Sequence, residues 1–309
     1  QFRYEAGLAM PSYAALQGWD VLCRHSNGAL VLGYGGSNFN EQYIRPYRTA
    51  LDPVARAGET LSAMLFRRGD VAKAAHQVVA QIQDVNNLIG LDTPEPDAVT
   101  VMSLMTGFAQ GDAALAPGAV TVGSPRQINS ETAAVTFLRN NGVLTTENPS
   151  AASSGIYASD TGEITLDTMA KQMKIITSHS EAVAFASVNQ PISLGQLTVW
   201  SASGASLFAV SSLDGQTVAE SSKLLIVMAT NARNTGMTFS DMEQTVVSNY
   251  GALPVEIKVE WVQFSLPTDR AWRISPINLD GVVQPHVISG DGTSSIGAQL
   301  WNNVSSLSA

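Results

Sequence analysis

Residues 5–23, EAGLAMPSYAALQGWDVLC, place an apolar helical spacing directly before a short apolar run with strand character. Leu8, Met10, Tyr13, Ala14 and Leu16 fall on one side of a helix over Glu5–Gln17. Pro11 removes one backbone hydrogen bond, which is tolerable within the first two turns. Trp19-Asp20-Val21-Leu22-Cys23 then reads as a buried strand, closed by the polar triplet Arg24-His25-Ser26. Residues 27–51 form a loop rich in Gly, Asn and Tyr. Asp52-Pro53 supplies an N-cap and a first-turn proline for a second helix. Val54, Ala57, Leu61, Met64 and Leu65 keep the helical spacing, and Arg67-Arg68-Gly69 ends it with cations and a C-cap glycine. A helix, a strand, a loop and a helix cannot bury their apolar faces alone. The expectation is therefore that an upstream N-terminal segment, or a separate chain, completes the layer to which residues 1–75 belong.

Further along, residues 76–83 (HQVVAQIQ) read as a strand, and helices are expected over 97–110 and from the Ser124-Pro125-Arg126-Gln127 capping box to Asn140-Asn141-Gly142. Residues 76–154 thus form a strand and helical insertion, ending in the small-residue linker NPSAASSG. From Ile156 strand signals recur at 163–167, 172–177, 182–186, 195–200, 205–211, 223–229, 255–266, 271–276, 282–288 and 297–301. Asp214-Gly215, Asp280-Gly281 and Asp291-Gly292 punctuate them as turns. Many short strands with glycine-rich turns read as an antiparallel β-sandwich over 155–309.

Charged residues make up only 14% of the chain, against roughly 25% in a typical globular protein. The polar surface is accordingly built from Ser, Thr, Asn, Gln and Gly, a profile that suits a secreted or otherwise extracytoplasmic protein. Net charge is −9, and no basic cluster exceeds Arg67-Arg68, which argues against nucleic acid or an anionic membrane surface as partner. Cys23 stands alone, so no internal disulfide forms and CxxC metal sites are excluded. The longest strongly apolar run, Leu224–Ala229, is too short to span a bilayer. No HExxH, GxSxG or P-loop is present, and no motif calls for a cofactor or a metal. Asp280 and Asp291 offer oxygen ligands for calcium, yet their spacing matches no EF-hand and ordinary turn chemistry accounts for them.

Three stretches carry a family resemblance. They are Tyr4–Asp20 (YEAGLAMPSYAALQGWD), Leu65–Val71 (LFRRGDV) and Ser159–Ile164 (SDTGEI), followed by Ser212-Leu213-Asp214-Gly215 and Ala232–Met237 (ARNTGM). In this order they resemble the C-terminal part of large secreted bacterial glycoside hydrolases of the retaining (β/α)8 superfamily, the agarase-like polysaccharide hydrolases among them. The resemblance covers most of the chain apart from residues 97–150. It implies that residues 5–17 are the seventh barrel helix, 20–24 the eighth strand and 52–68 the eighth helix, running on into the β-sandwich. It also implies an acid/base glutamate and a nucleophilic glutamate on barrel strands upstream of Gln1. Retaining glycosidases need two such carboxyl groups about 5–5.5 Å apart, so this chain alone is expected to be inactive.

Barrel enzymes carry their chemistry at the C-terminal ends of the strands, and the candidate residues follow from that placement. Arg24 and His25 would stand at the catalytic mouth, where they hydrogen-bond sugar hydroxyls or an acidic group; otherwise they are a solvated strand end. Arg3 and Glu5 fall beside the expected nucleophile. Glu5 is a catalytic or substrate-orienting carboxylate, or else it simply favours the positive end of its helix. Tyr34, Phe39, Tyr43 and Tyr47 line the long loop, where rings stack on sugars or pin the loop itself. Trp19 is expected in the core. Trp200, Trp261, Trp272 and Trp301 lie in strands, mostly as core or interdomain contacts, with a carbohydrate platform as the alternative. Two further functional classes compete with the hydrolase: a non-catalytic carbohydrate-binding module, and a structural or assembly protein.

Overall fold

The computed structural model describes residues 3–23, 30–32, 38–40, 44, 52–81, 96–111, 117–122, 128–242, 244–278, 281–285, 288–292 and 296–301. Among these residues the chain mixes four α-helices with many short strands, most of them antiparallel. It divides into two compact units. The first comprises Gln1–Met10, Cys23–Met64 and Ser178–Ala309; the second comprises Pro11–Leu22 and Leu65–Thr177.

A 3-10 turn, Arg3–Glu5, leads into α1 (Ala6–Leu16), which accommodates Pro11 as the sequence predicts. A small hairpin pairs β1 (Leu30–Leu32) with β2 (Asn38–Asn40), Val31 opposite Phe39. Helix α2 (Pro53–Ser62) starts where Asp52 and Pro53 place it: the Asp52 carboxylate accepts from Val54 N–H at 3.1 Å. A π-helical stretch, Ala63–Arg67, extends it, and Gly69 takes the left-handed conformation (φ +81°) just beyond. In the first unit α1 and α2 meet at Gly7 and Gly58, where a Cβ on Gly7 would lie 2.5 Å from the Gly58 Cα. The apolar run after α1 departs from its expected form. Val21–Cys23 form no strand, Val21 is 65% exposed, and Cys23 is exposed. Trp19, expected in the core, is 53% exposed. A run of three apolar residues offers too little area to order itself without a strand to pair with, and none among the described residues pairs with it.

The second unit is built on three parallel strands. They are β3 (Gln77–Gln81), β4 (Gly107–Gly111) and β5 (Val120–Val122), in the order β4-β3-β5. Helix α3 (Pro96–Met105) connects the first two, and α4 (Glu131–Asn140) follows the third. Parallel neighbours need such a crossover. The crossover helix ends sooner than its apolar spacing predicts, because Gly107 N–H turns to the His76 carbonyl at 3.2 Å and opens β4. α4 likewise starts later than Ser124, capped by Ser130, whose hydroxyl accepts from Ala133 N–H; residues 123–127 lie outside the described set. Val78, Val101, Met102, Met105, Val122 and Leu138 bury together as the core of this unit, each stabilising it by about 1.5–3 kcal/mol relative to exposure. An antiparallel meander then runs through β6 (Ile156–Ala158), β7 (Ile164–Asp167) and β8 (Gln172–Ile176).

The rest of the first unit is antiparallel. One sheet contains β9 (Ser180–Phe185), β12 (Ser206–Ser212) and β13 (Leu224–Ala229), with β12 in the middle. Every residue of β9 and β12 is buried. A second sheet runs β10 (Ile192–Ser193), β11 (Thr198–Ala202), β18 (Trp261–Leu266), β21 (Ile296–Trp301). Val183, Phe185, Phe208 and Val210 from the first share one core with Val199, Val262, Phe264 and Leu266 from the second. The rings of Phe208 and Phe264 meet at 4.9 Å between centroids. Helix α2 packs against β13 and the Arg3–Glu5 turn against β12. Three two-stranded ribbons complete the unit: β14 (Ala232–Thr235) with β17 (Ala252–Ile257), β15 (Thr238–Phe239) with β16 (Val247–Asn249), and β19 (Trp272–Ile274) with β20 (Ile288–Gly290).

Candidate functional site

Two of the residues singled out by sequence stand together in the Arg3–Glu5 turn. The Arg3 guanidinium pairs with the carboxylate of Asp52, which is 1% exposed and caps α2 at the same time. Arg3 is thereby spent on tying the turn to the second helix. Tyr4 is buried, and its hydroxyl is pushed up to about 12 by that burial and by the Glu5 carboxylate beside it. Glu5 itself stays exposed at the entry to α1. The protein mass on one side still raises its carboxyl above the ordinary value, and this outweighs the Tyr4 hydrogen bond that favours the ionised form.

Arg24, His25, Tyr34, Tyr43 and Tyr47 lie outside the described residues, and so does Asp280. Phe39 lies in β2. Trp272 packs against Gly290 across its ribbon.

Gln17, the Leu65–Val71 stretch and the Ser159–Ile164 stretch, all from the resemblance, make side-chain bonds within the second unit. Gln17, at the end of α1, donates through its amide to the carbonyls of Ser103 and Thr106 at 2.7 and 2.8 Å and accepts from Phe108 N–H at 2.8 Å. It therefore clasps the corner between α3 and β4. Arg68 forks onto Asp70 with contacts of 2.7 and 2.5 Å. Ala72 N–H then reaches the Glu163 carboxylate at 2.7 Å. Burial raises the Glu163 carboxyl, and Asp70 nearby adds to this, while the Ala72 amide opposes them.

Asp160 is the hub of this arrangement, and its side chain has no exposed surface. It accepts from the backbone N–H of Ala75 at 3.2 Å and of His76 at 2.9 Å, and from the Thr106 hydroxyl at 2.9 Å. The His76 ring nitrogen Nδ1 lies 3.3 Å away. A carboxylate, an imidazole and a hydroxyl in contact suggest a nucleophilic triad, but the roles do not fit one. The hydroxyl of Thr106 touches the carboxylate and the His76 carbonyl, not the imidazole. A triad needs the base on the nucleophile. The cluster is a latch.

Carboxylates and amides of the first unit are used in the same way. Asp214 accepts from the hydroxyls of Ser212, Ser221 and Ser222 and from Ser222 N–H, which hold its carboxyl far below the ordinary range. Buried Glu181 accepts from Gln196 and Leu197 N–H at 2.7 Å each. Asn234, from the ARNTGM stretch, accepts from Ile44 N–H and donates to the Ile44 and Tyr250 carbonyls, each at 2.7 Å. Sequence reading did not assign these roles to Asp160, Glu181 or Asn234. The turn signal at Asp160-Thr161-Gly162 was the available clue, whereas Glu181, the second residue of β9, carries none.

Among the described residues no group of three or more His, Cys, Asp or Glu side chains is placed to hold a metal ion, and no helix is long and apolar enough to cross a membrane. Comparison with family models, with curated proteins and with solved structures finds no match to this chain.

Proposed function

We propose that the chain acts as the C-terminal part of a secreted polysaccharide-acting glycoside hydrolase. In this reading α1 and α2 are the last two helices of a (β/α)8 barrel, without the eighth strand expected at 20–24, since Val21–Cys23 form none, and the antiparallel region forms the appended β-sandwich. The catalytic carboxylate pair belongs to an upstream segment, and the Arg3–Glu5 turn supplies part of the cleft wall. The observation that carries the reading is the state of that turn. Arg3 is anchored on Asp52 and Tyr4 is buried, while Glu5 alone is left exposed with its carboxyl raised. A carboxyl whose proton is held at higher pH suits proton donation or a hydrogen bond to a sugar hydroxyl. The shared core of the two antiparallel sheets supports the sandwich part of the reading. The saturated hydrogen bonding of Asp160, Asp214 and Glu181 supports a structural rather than catalytic use of those carboxylates.

The test is release of reducing ends from a panel of plant and marine polysaccharides. The chain joined to its upstream segment should hydrolyse at least one, and the chain alone none. Glu5→Gln in the joined protein should lower kcat/KM by about tenfold, roughly 1.4 kcal/mol of transition-state stabilisation, without moving the melting temperature. Hydrolysis by the chain alone, or full activity in Glu5→Gln, would overturn the assignment.

A further inference from the structure

The sheet β10-β11-β18-β21 has one face in the core and one in solvent, and the solvent face is unusual in its chemistry. None of its four strands, Ile192–Ser193, Thr198–Ala202, Trp261–Leu266 and Ile296–Trp301, contains a charged residue or a histidine. Val262, Phe264 and Leu266 alternate into the core, so Trp261, Gln263 and Ser265 stand on the opposite face. A bulge between Val199 and Ser201 interrupts the register of β11, and Trp200, at that bulge, is 49% exposed. Its indole Nε1–H donates across the strands to the Ser265 hydroxyl at 2.8 Å, which holds the ring over the sheet. The Ser201 hydroxyl donates to Gln263 Oε1 at 3.0 Å. That bond engages the amide oxygen, and the NH2 of the same side chain can act only as a donor. Gln299 lies in register beside Gln263, and Trp301 in register with Trp261.

We infer that this face binds a neutral polysaccharide. Exposed indole presents a flat apolar surface to the C–H faces of a pyranose ring, and amides and hydroxyls around it match sugar hydroxyls. Strand rise and spacing put Trp200 and Trp261 roughly 9 Å apart at the backbone, room for more than one sugar ring. The absence of charge selects the ligand further. A sulfated or uronate chain would surrender hydration without meeting a cation on these four strands, whereas a neutral glycan loses nothing by it. The proposal shares its ligand class with the hydrolase reading but none of its residues.

Affinity electrophoresis and calorimetry on the full chain test this, with a neutral β-glucan, a neutral galactan and a polyuronate as probes. At least one neutral glycan should bind, with affinity changing less than about twofold between low and high salt. Trp200→Ala should weaken binding about tenfold or more, while Trp200→Phe, which keeps a stacking ring, should lose less. Gln263→Ala should also weaken it, and this keeps the test decisive if Trp200→Ala misfolds; circular dichroism of each variant reports its fold. Four results would overturn the inference: no neutral glycan bound; binding of the polyuronate only; a folded Trp200→Ala or Gln263→Ala with unchanged affinity; or a stable dimer that Trp200→Ala dissociates, which would make the face an interface between copies. Reducing-end release read in the same samples keeps the two proposals separate, since binding without hydrolysis leaves this one standing.

Discussion

Replacing Asp160 by alanine removes the acceptor that joins the Ser159–Ile164 turn to the segment entering β3 and to the corner after α3. The size of the loss follows from its partners. The backbone N–H groups of Ala75 and His76 lose a carboxylate, and a hydrogen bond to a charged group contributes about 1.5–3 kcal/mol net. Both donors belong to exposed residues, so water replaces part of that loss. Thr106 is fully buried, but its single hydroxyl proton still has the His76 carbonyl at 3.0 Å. It therefore adds little. The bond from Asp160 N–H to the Met105 carbonyl is main-chain and survives. The sum is a destabilisation of about 3 kcal/mol, with each amide near the low end of its range.

Asp160→Asn separates this account from a mere packing defect. Its amide oxygen can still serve His76 N–H and Thr106, but its NH2 then confronts Ala75 N–H, donor against donor. One lost bond of two predicts roughly half the effect, about 1.5 kcal/mol. Urea unfolding followed by far-UV circular dichroism reads both. For a urea slope near 2 kcal/mol per molar, the midpoint should fall by about 1.5 M in the alanine variant and by half as much in the asparagine variant. An alanine variant within about 0.5 kcal/mol of wild type, the typical range of surface substitutions, would refute the latch. So would an asparagine variant as damaged as the alanine one.

Gly7→Ala should destabilise by about 1–3 kcal/mol, since its Cβ would meet the Gly58 Cα at 2.5 Å and the backbone cannot yield as a side chain would. Helix propensity alone predicts the opposite sign, a gain approaching 1 kcal/mol, so a raised melting temperature would refute the close helix contact. Gly58→Ala, at 3.1 Å from Gly7 Cα, should be milder. Acid should destabilise the protein. The Asp214 carboxyl is held below its usual 3.8 mainly by the Ser221 hydroxyl, and further by Ser222 and Ser212, against a burial effect that raises it. For Glu260 burial raises the carboxyl, but Lys258 at 2.5 Å and Ser203 together bring it below its usual 4.5. A depressed folded-state pKa gives stability that is present above the unfolded value and lost as pH falls through the folded one. The urea midpoint should therefore hold down to about pH 4.5 and drop below it, and Asp214→Asn should flatten the drop. Glu163 and Glu5, whose carboxyls are raised, work against this trend.

The parts of the fold that were legible in the sequence are those with local causes. The cap and proline at Asp52-Pro53 place α2, and the expected 172–177, 205–211 and 223–229 meet β8, β12 and β13 to within a residue or so. Where the cause is distant, reading along the chain fails. The expected strand 255–266 is two strands, β17 and β18, paired in different sheets. Lys258 N–H bonds to Asn231 and Trp261 N–H to the Ser203 hydroxyl, and alternation of residue type carries no mark of that change of partner. The parallel pairing of β3 with β4 and β5 was invisible for the same reason. At the candidate site, Arg3 was legible as a cation near α1, but its pairing with a carboxylate 49 residues away was not.

The scarcity of charge has a structural counterpart that bears on both proposals. A surface ion pair would contribute little, and among the described residues no Lys or Arg pairs with the carboxylates of Asp160, Asp214, Glu181 and Asp241. They take hydrogen bonds from backbone amides and from Ser and Thr hydroxyls at turns, and such charge-assisted bonds are stronger than neutral ones. A chain held together in this way can leave whole faces without charge and still specify its turns. The sheet bearing Trp200, Trp261 and Gln263 is such a face. Its strands carry no charge that a neutral ligand would have to strip of water, and none to recruit an ionic one. The carboxylates that fix the fold lie at turns and strand ends rather than among its outward residues. Selectivity for an uncharged glycan would then arise from where this protein places its few charges, and adding one at Gln263 should abolish binding while leaving the core beneath it intact.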